Sequence, residues 1–264
     1  MRRWLGACLG LFVTAAFLST ALCQESGKRV AMDKHVDPDW EVLSVRPSDP
    51  DSKAIGYNVQ GDQILLRRQT LEAMMMVGFG LHKKQIVDAP EWARSVEWEV
   101  RGKPDAPGEP DSAQIRSLVR KALIERFGLK THPEQREMPV FALTVTKGSM
   151  KLSASTSDPD GLPDENDRES GGESTVIMTN VSMVNMVTLL DFRLERPVVD
   201  RTGLSGRYDL KFTYTMDESR PATDRNAAPG LFTALQEQLG LKLEPVKTAA
   251  DVLVIDKVER PSAN

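Results

Sequence analysis

The chain has 264 residues, a formal charge of −4 from 34 Lys and Arg against 38 Asp and Glu, and two cysteines. Its basic residues are interspersed with acidic ones, so no nucleic-acid partner is read from them. Cys8 and Cys23 both fall near the N-terminus, which leaves the rest without a disulfide or a thiol nucleophile.

The N-terminus reads "MRRWLGACLGLFVTAAFLSTALCQ". Arg2 and Arg3 precede an apolar run from Leu5 to Leu22 that ends in small residues, the pattern of a secretory signal peptide over 1–23. Cleavage is expected after Ala21 or Cys23. An uncleaved membrane anchor is one alternative, and a lipid on Cys23 is another, although Leu22 is not the small residue a lipoprotein signal wants. At roughly 240 residues the mature chain is long enough to bury one or two cores. Residues 24–38 read as a disordered N-terminal stretch.

A first lobe is expected over 39–152. "WEVLSVRPS" (40–48) opens it as a strand. In "RRQTLEAMMMVGFGL" Thr70 is the N-cap, Leu71, Met74 and Met75 form the apolar stripe, Met76 lies off it, and Gly80 stops the helix. Core filling is preferred over a copper or flexible binding role for the Met run. "QIVDAPEWARSVEWEV" follows as a short strand, a turn plugged by Trp92, and a longer strand. "SAQIRSLVRKALIERFGL" repeats the helix, with Ser112 as cap, Ile115, Leu118, Val119, Ala122, Leu123 and Phe127 inward, and Gly128 as stop. "LKTHPEQREMPVFALTVTK" is again read as strand, turn, strand.

"SASTSDPDGLPDENDRESGGES" (153–174) has almost no apolar residues and reads as an acidic linker. A second lobe is expected over 175–264. "NVSMVNMVTLLDFRLERPVV" gives a helix capped by Ser182, with Met183, Met186, Val187, Leu190 and Leu194 inward, stopped by Pro197. "RPVVDRTGLSGRYDLKFTY" (196–214) reads as a hairpin, with Tyr208, Leu210, Phe212 and Tyr214 on its buried face. "PGLFTALQEQLGL" is a last helix, with Phe232, Leu235 and Leu239 inward and Gly240 as stop. "LKLEPVKTAADVLVIDKVERP" supplies its strands. The recurrence predicts an α+β fold: two similar lobes of tandem helix–strand–strand units, helices packed on mainly antiparallel sheets.

With these segments in order, the sequence resembles the soil-associated family of exported bacterial proteins of unknown function, abundant in acidobacterial genomes. The phrases that carry the resemblance are "WEVLSVRPS" (40–48), "QIVDAPEW" (85–92), "ALIERFGLKTHPEQREMPVFALTVTKG" (122–148), "RPVVDRTGLSGRYDLKF" (196–212), "LFTALQEQLGLKLEPVK" (231–247) and "VLVIDKVERPS" (252–262). Gly78 and Phe79 replace the family's usual Ala-Tyr. The resemblance implies no catalytic residues. Some relatives join this module to membrane zinc-peptidase sensor domains, which implies signalling or binding. The helix, strand, Gly turn and strand are also similar in architecture to the small N-terminal domains of secretins and outer-membrane receptors, which are interaction modules.

Chemistry is thin in the residues themselves. His35, His82 and His132 have no metal-ligand spacing, and no G-x-S-x-G marks a nucleophile elbow. Asp158, Asp160, Asp164, Glu165 and Asp167 surround Gly161 as in a fragment of a calcium loop, but the EF-hand spacing fails. Asp200 and Asp209 stand at the expected hairpin. No catalytic, cofactor-binding or metal-binding residue is assigned, and no cofactor is implied. The leading expectation is an exported, non-catalytic binding or interaction module of the cell envelope, periplasmic or extracellular, with an unknown protein or envelope ligand as partner. The alternatives are a carboxylate-based enzyme using Asp200 and Asp209, or a calcium-dependent envelope protein using the 158–167 loop.

Overall fold

The computed structural model describes residues 30–60, 63–148, 150–159, 161–216 and 228–261. The expected signal peptide, Cys23, Asp160 and most of the 216–230 loop lie outside the described residues.

The first sheet takes the order β1-β5-β3-β2 and is antiparallel throughout. Its strands are β1 (Trp40–Pro47), β2 (Gly56–Gln60), β3 (Gln63–Thr70) and, further on, β5 (Glu97–Pro104). Between β3 and β5 run α1 (Leu71–Phe79), the two-residue β4 (Ile86–Val87) and α2 (Trp92–Ser95). Thr70 caps α1, its hydroxyl accepting Ala73 N–H at 3.1 Å, and Gly80 closes it at φ 65, where a side chain is strained. Met74 and Met75 are buried as the spacing predicts, and so is Met76 at 7% exposure. The extra burial follows from α1 touching α2, α3, β3 and β4 at once, so more than one face is covered. The helix α3 (Ser112–Phe127) is capped one residue earlier than expected: Asp111 accepts the N–H groups of Ala113 and Gln114 at 2.8 Å, and Ser112 is its first helical residue.

Residues 30–38, expected to be disordered, are tied down. Ala31 bridges Glu109, Met32 is buried, and Gln114 Nε2 donates to the carbonyls of Asp33 (2.8 Å) and Val36 (2.9 Å). A buried amide that caps its own helix and holds two carbonyls fixes this stretch without any apolar periodicity in it.

After α3 comes β6 (Lys130–Val145), one strand of 16 residues where a strand, turn and strand were expected. Then follow β7 (Ser153–Ala154), β8 (Asp164–Ser170), β9 (Glu173–Val181) and α4 (Met183–Arg193). The expected acidic linker is therefore largely strand. β8, "DENDRES", is exposed at every position and forms the edge of the third sheet, β7-β11-β9-β8. Its charges suit an edge, because they deter pairing with another chain. Ser182 caps α4 as expected, in a reciprocal box with Asn185.

The chain continues through β10 (Val198–Asp200), β11 (Tyr208–Thr215), a single α turn, α5 (Leu231–Ala234), extended by a π turn over Leu235–Leu239, and β12 (Leu241–Lys257). The expected hairpin at 196–214 does not form: β10 pairs in parallel with β6, whereas β11 pairs antiparallel with β9 and β7 in another sheet. The inward set Tyr208, Leu210, Phe212 and Tyr214 is nonetheless buried. Phe232, expected inward, is 38% exposed, and Leu231 and Ala234 take its place. It lies edge-on to Phe141 at 5.2 Å instead.

β12 is the longest element, at 17 residues, and it pairs with β6 from Leu241↔Val145 to Lys257↔Lys130. At about 3.3 Å per residue such a strand reaches roughly 55 Å, enough to pass beneath both lobes. The central sheet, β10-β6-β12-β4, is built on this ribbon. One core gathers Met74, Trp98, Leu118, Leu123 and Phe127, and takes Leu253 and Ile255 from the far end of β12. The other gathers Met186, Leu190, Phe212 and Leu235, and takes Leu241 and Leu243 from its near end. The C-terminal strand, expected to close only the second lobe, thus packs into both. Pro133, Pro139 and Pro245 sit in strands whose outer edges are open over most of their length, where a missing N–H costs little. The fold is α+β with mainly antiparallel sheets, as the sequence reading expected.

Candidate functional site

A cleft of about 430 Å³ lies between the lobes. Its first wall comes from Ile55 and Ile64 and Leu66 of β3, with Val77 of α1 and Ile115 of α3. Its second wall is α4. Asn185, Thr188, Leu189 and Phe192 recur at i, i+3, i+4 and i+7, so they share one helical face beside the core stripe. Phe192 is 48% exposed there, an aromatic ring held at a solvent-accessible wall.

Polar groups converge on this apolar surface. Ser112 and Arg116 lie one turn apart on α3, and Asn185 Nδ2 reaches Ser112 Oγ at 3.2 Å. The Arg116 guanidinium crosses to α4 and donates to Thr188 Oγ1 at 2.7 Å; that hydroxyl donates to Val184 O at 2.9 Å. Gly80 makes room for it: a Cβ there would stand 3.0 Å from Arg116 Nη1. Arg193 is held three ways, by Tyr214 Oη (2.9 Å), by Leu189 O (3.1 Å) and by Asp167, whose carboxylate also accepts from Ser174 Oγ. A second cavity of about 290 Å³ adjoins the first and shares Ser112, Arg116 and Asn185 with it.

Two ionisable groups of the cleft differ from the rest. Burial lowers the Arg116 pKa, Arg120 lowers it further, and Glu165 raises it. Glu165 stands on the exposed strand β8 and lines the cleft; partial loss of hydration raises its pKa, and Arg193, Asn185 and Arg116 pull it back. Among the described residues no carboxylate lies within 4.0 Å of the Arg116 guanidinium, and no cation lies within 4.0 Å of the Glu165 carboxylate. The cleft therefore holds two opposite charges that attract each other without a direct ion pair.

The lobes are also pinned beside the cleft. His82 is fully buried; its Nδ1 accepts Lys84 N–H at 3.0 Å, so Nε2 carries the proton and donates to Leu194 O at 3.0 Å across the seam. Burial lowers its pKa, which keeps it neutral. His82 thus does structural work that its expected place just after a helix did not suggest.

The other sequence candidates are used locally. Asp200 accepts Thr202 N–H (2.8 Å) and hydroxyl (2.7 Å) in an exposed turn, and Asp209 accepts Asn180 N–H at 2.9 Å. Because β10 and β11 enter different sheets, the two carboxylates do not share a hairpin. Asp164, Glu165 and Asp167 lie along β8, where successive side chains point to opposite faces, so this part of the acidic stretch weighed as a calcium loop is a strand. Among the described residues no group of three His, Cys, Asp or Glu is placed to hold a metal ion. His132 joins Asp256 (2.8 Å) and Glu134 (3.2 Å) on the ribbon surface, and these carboxylates raise its pKa. Trp92 lies under Arg260, with 5.6 Å from the guanidinium to the ring centroid. Arg116, Asn185 and Phe192 were not singled out by the sequence; an aromatic residue off the core stripe of a capped helix was the available signal.

The model of a family described as "Protein of unknown function (DUF3738)" matches residues 72–258. The chain belongs to this DUF3738 family. The matched span begins in α1 and ends just past β12, so it includes both core ribbons, α3 and α4. Ile55, Ile64 and Leu66 of the first cleft wall precede it. No curated protein matches the chain. No solved structure matches it either.

Proposed function

We propose that the protein is an exported, non-catalytic binding module that holds a small ligand in the cleft between its lobes. One observation carries the reading: an apolar cleft of about 430 Å³ with a few convergent polar groups and two unpaired charges. Ligand sites are concave, mostly apolar and often formed between domains, and 430 Å³ falls within their usual range of about 300–1,000 Å³. Export is supported by the N-terminal signal pattern and by the phrases shared with the soil-associated exported family. Asp200 and Asp209 are occupied by backbone and hydroxyl hydrogen bonds, which argues against using them as a carboxylate pair.

The test uses a neutral, environment-sensitive dye. N-phenyl-1-naphthylamine titrated into the full chain should brighten and saturate. Phe192→Asp, at a half-exposed site that tolerates the change, should abolish the signal without lowering the melting temperature. A dye that stays dark, or binds the variant equally well, refutes the cleft as the site. Export is checked by fractionating a bacterial host that expresses the full chain: the product should leave the cytoplasm with its new N-terminus after Ala21 or Cys23.

A further inference from the structure

The two unpaired charges narrow the ligand class. This inference rests on the cleft being the binding site and adds the chemistry of what enters it. A charge held in a partly dehydrated place without a partner is destabilising, and such groups concentrate where a ligand completes the pairing. Arg116 has five N–H donors, yet among the described residues its one side-chain acceptor is Thr188 Oγ1. Glu165 is drawn toward Asn185 and the more distant Arg193, whose guanidinium is engaged by Tyr214, Leu189 and Asp167.

No direct ion pair within 4.0 Å joins the two charges, and they attract each other only at longer range. An anionic amphiphile would satisfy Arg116 and meet repulsion from Glu165. A cationic one would do the reverse. A molecule that carries both charges satisfies both, and the neighbouring apolar wall of Ile64, Leu66, Leu189 and Phe192 receives its side chain. The planar guanidinium suits a carboxylate, which it grips with two parallel hydrogen bonds. We propose that the cleft binds a short zwitterion with an apolar side chain, one or two amino-acid residues in size, its carboxylate on Arg116 and its ammonium on Glu165.

Calorimetric titration of the full chain with L-phenylalanine and with L-leucyl-L-leucine tests this, together with the N-acetyl and C-terminal amide form of each. At least one zwitterion should bind and displace N-phenyl-1-naphthylamine. Its N-acetyl and amide forms should each bind at least tenfold more weakly. Glu165→Gln should lose at least tenfold for the zwitterion and then hold it no better than the N-acetyl form. Arg116→Gln should likewise erase the preference for zwitterion over amide. If Arg116→Gln fails to fold, the Glu165→Gln cycle decides alone, since that carboxylate sits on an exposed strand. If the dye binds but no zwitterion displaces it, or the capped forms bind equally well, the ligand class is rejected while the cleft remains a site. If the dye does not bind either, both readings fall.

Discussion

Asp191 is a carboxyl group placed where water cannot reach it. It lies in the last turn of α4 at 6% exposure, and its Oδ1 accepts Val198 N–H at 2.9 Å. Burial pushes its pKa up from 3.8 to about 7, against the smaller opposing effect of that hydrogen bond. Between these values the native carboxyl keeps a proton that the unfolded chain has released. The stability this group contributes is therefore full below 3.8, falls as pH rises, and is gone above about 7. At about 1.4 kcal/mol per pH unit, the total swing is on the order of 4 kcal/mol. Asp191→Asn keeps the oxygen that accepts Val198 N–H and cannot ionise. Urea unfolding of both proteins, followed by far-UV circular dichroism from pH 4 to 8.5, isolates this group from the other titrating residues. The variant should gain on the wild type as pH rises from 4 to about 7, by several kcal/mol in all, and hold that gain from there to 8.5. An extra amide N–H without a partner adds a constant offset of about 1–3 kcal/mol against it, which leaves the slope unchanged. A difference between the two proteins that is flat with pH refutes the reasoning.

The seam histidine behaves in the opposite sense. His82 binds its proton more weakly folded than unfolded, so its contribution is present above about 6.5 and is lost as pH falls through its lowered folded pKa. In ring-proton NMR titrations His82 should titrate below, and His132 above, the ordinary histidine range. His82→Ala leaves Lys84 N–H and Leu194 O unmatched in a buried place, at about 1–3 kcal/mol for each group, measurable by the same urea assay. Gly102→Ala would set a methyl group 2.5 Å from the Trp40 ring and 2.7 Å from Val42 O. It should cost about 1–3 kcal/mol and release Trp40 Nε1 from Leu118 O, seen as a red-shifted tryptophan emission. Because β12 serves both cores, tryptophan emission, to which Trp40, Trp92 and Trp98 contribute beside Trp4, and tyrosine absorbance in a Tyr57→Phe variant, which leaves Tyr208 and Tyr214, should unfold at one urea midpoint.

The helices were legible because their signals are local. Thr70, Gly80, Gly128, Ser182 and Gly240 mark their ends by backbone chemistry that needs no distant partner. The strands were legible where a core lies on one face, as at Tyr208 to Tyr214. β8 was not, since "DENDRES" offers no apolar residue and owes its conformation to pairing with β9. β6 and β12 were divided in the reading because the helix–strand–strand recurrence was extended to them, and sequence does not reveal which strands run on or which of their edges stay open. The cleft was hidden for a related reason. Its walls come from α3 and α4, whose contact residues Arg116 and Thr188 are 72 positions apart. Glu165 was noticed for its acidic neighbours, and it is the arginine across the cleft that gives it meaning.

The shared ribbon has a consequence for how the molecule is made. Leu241, Leu243, Leu253 and Ile255 leave the ribosome after every other element described above, and each core lacks its share of them until then. An early lobe with a lining of its own could settle during translation. Here neither core is complete before residues 241–255 emerge, so both interiors wait on a single late segment of the nascent polypeptide.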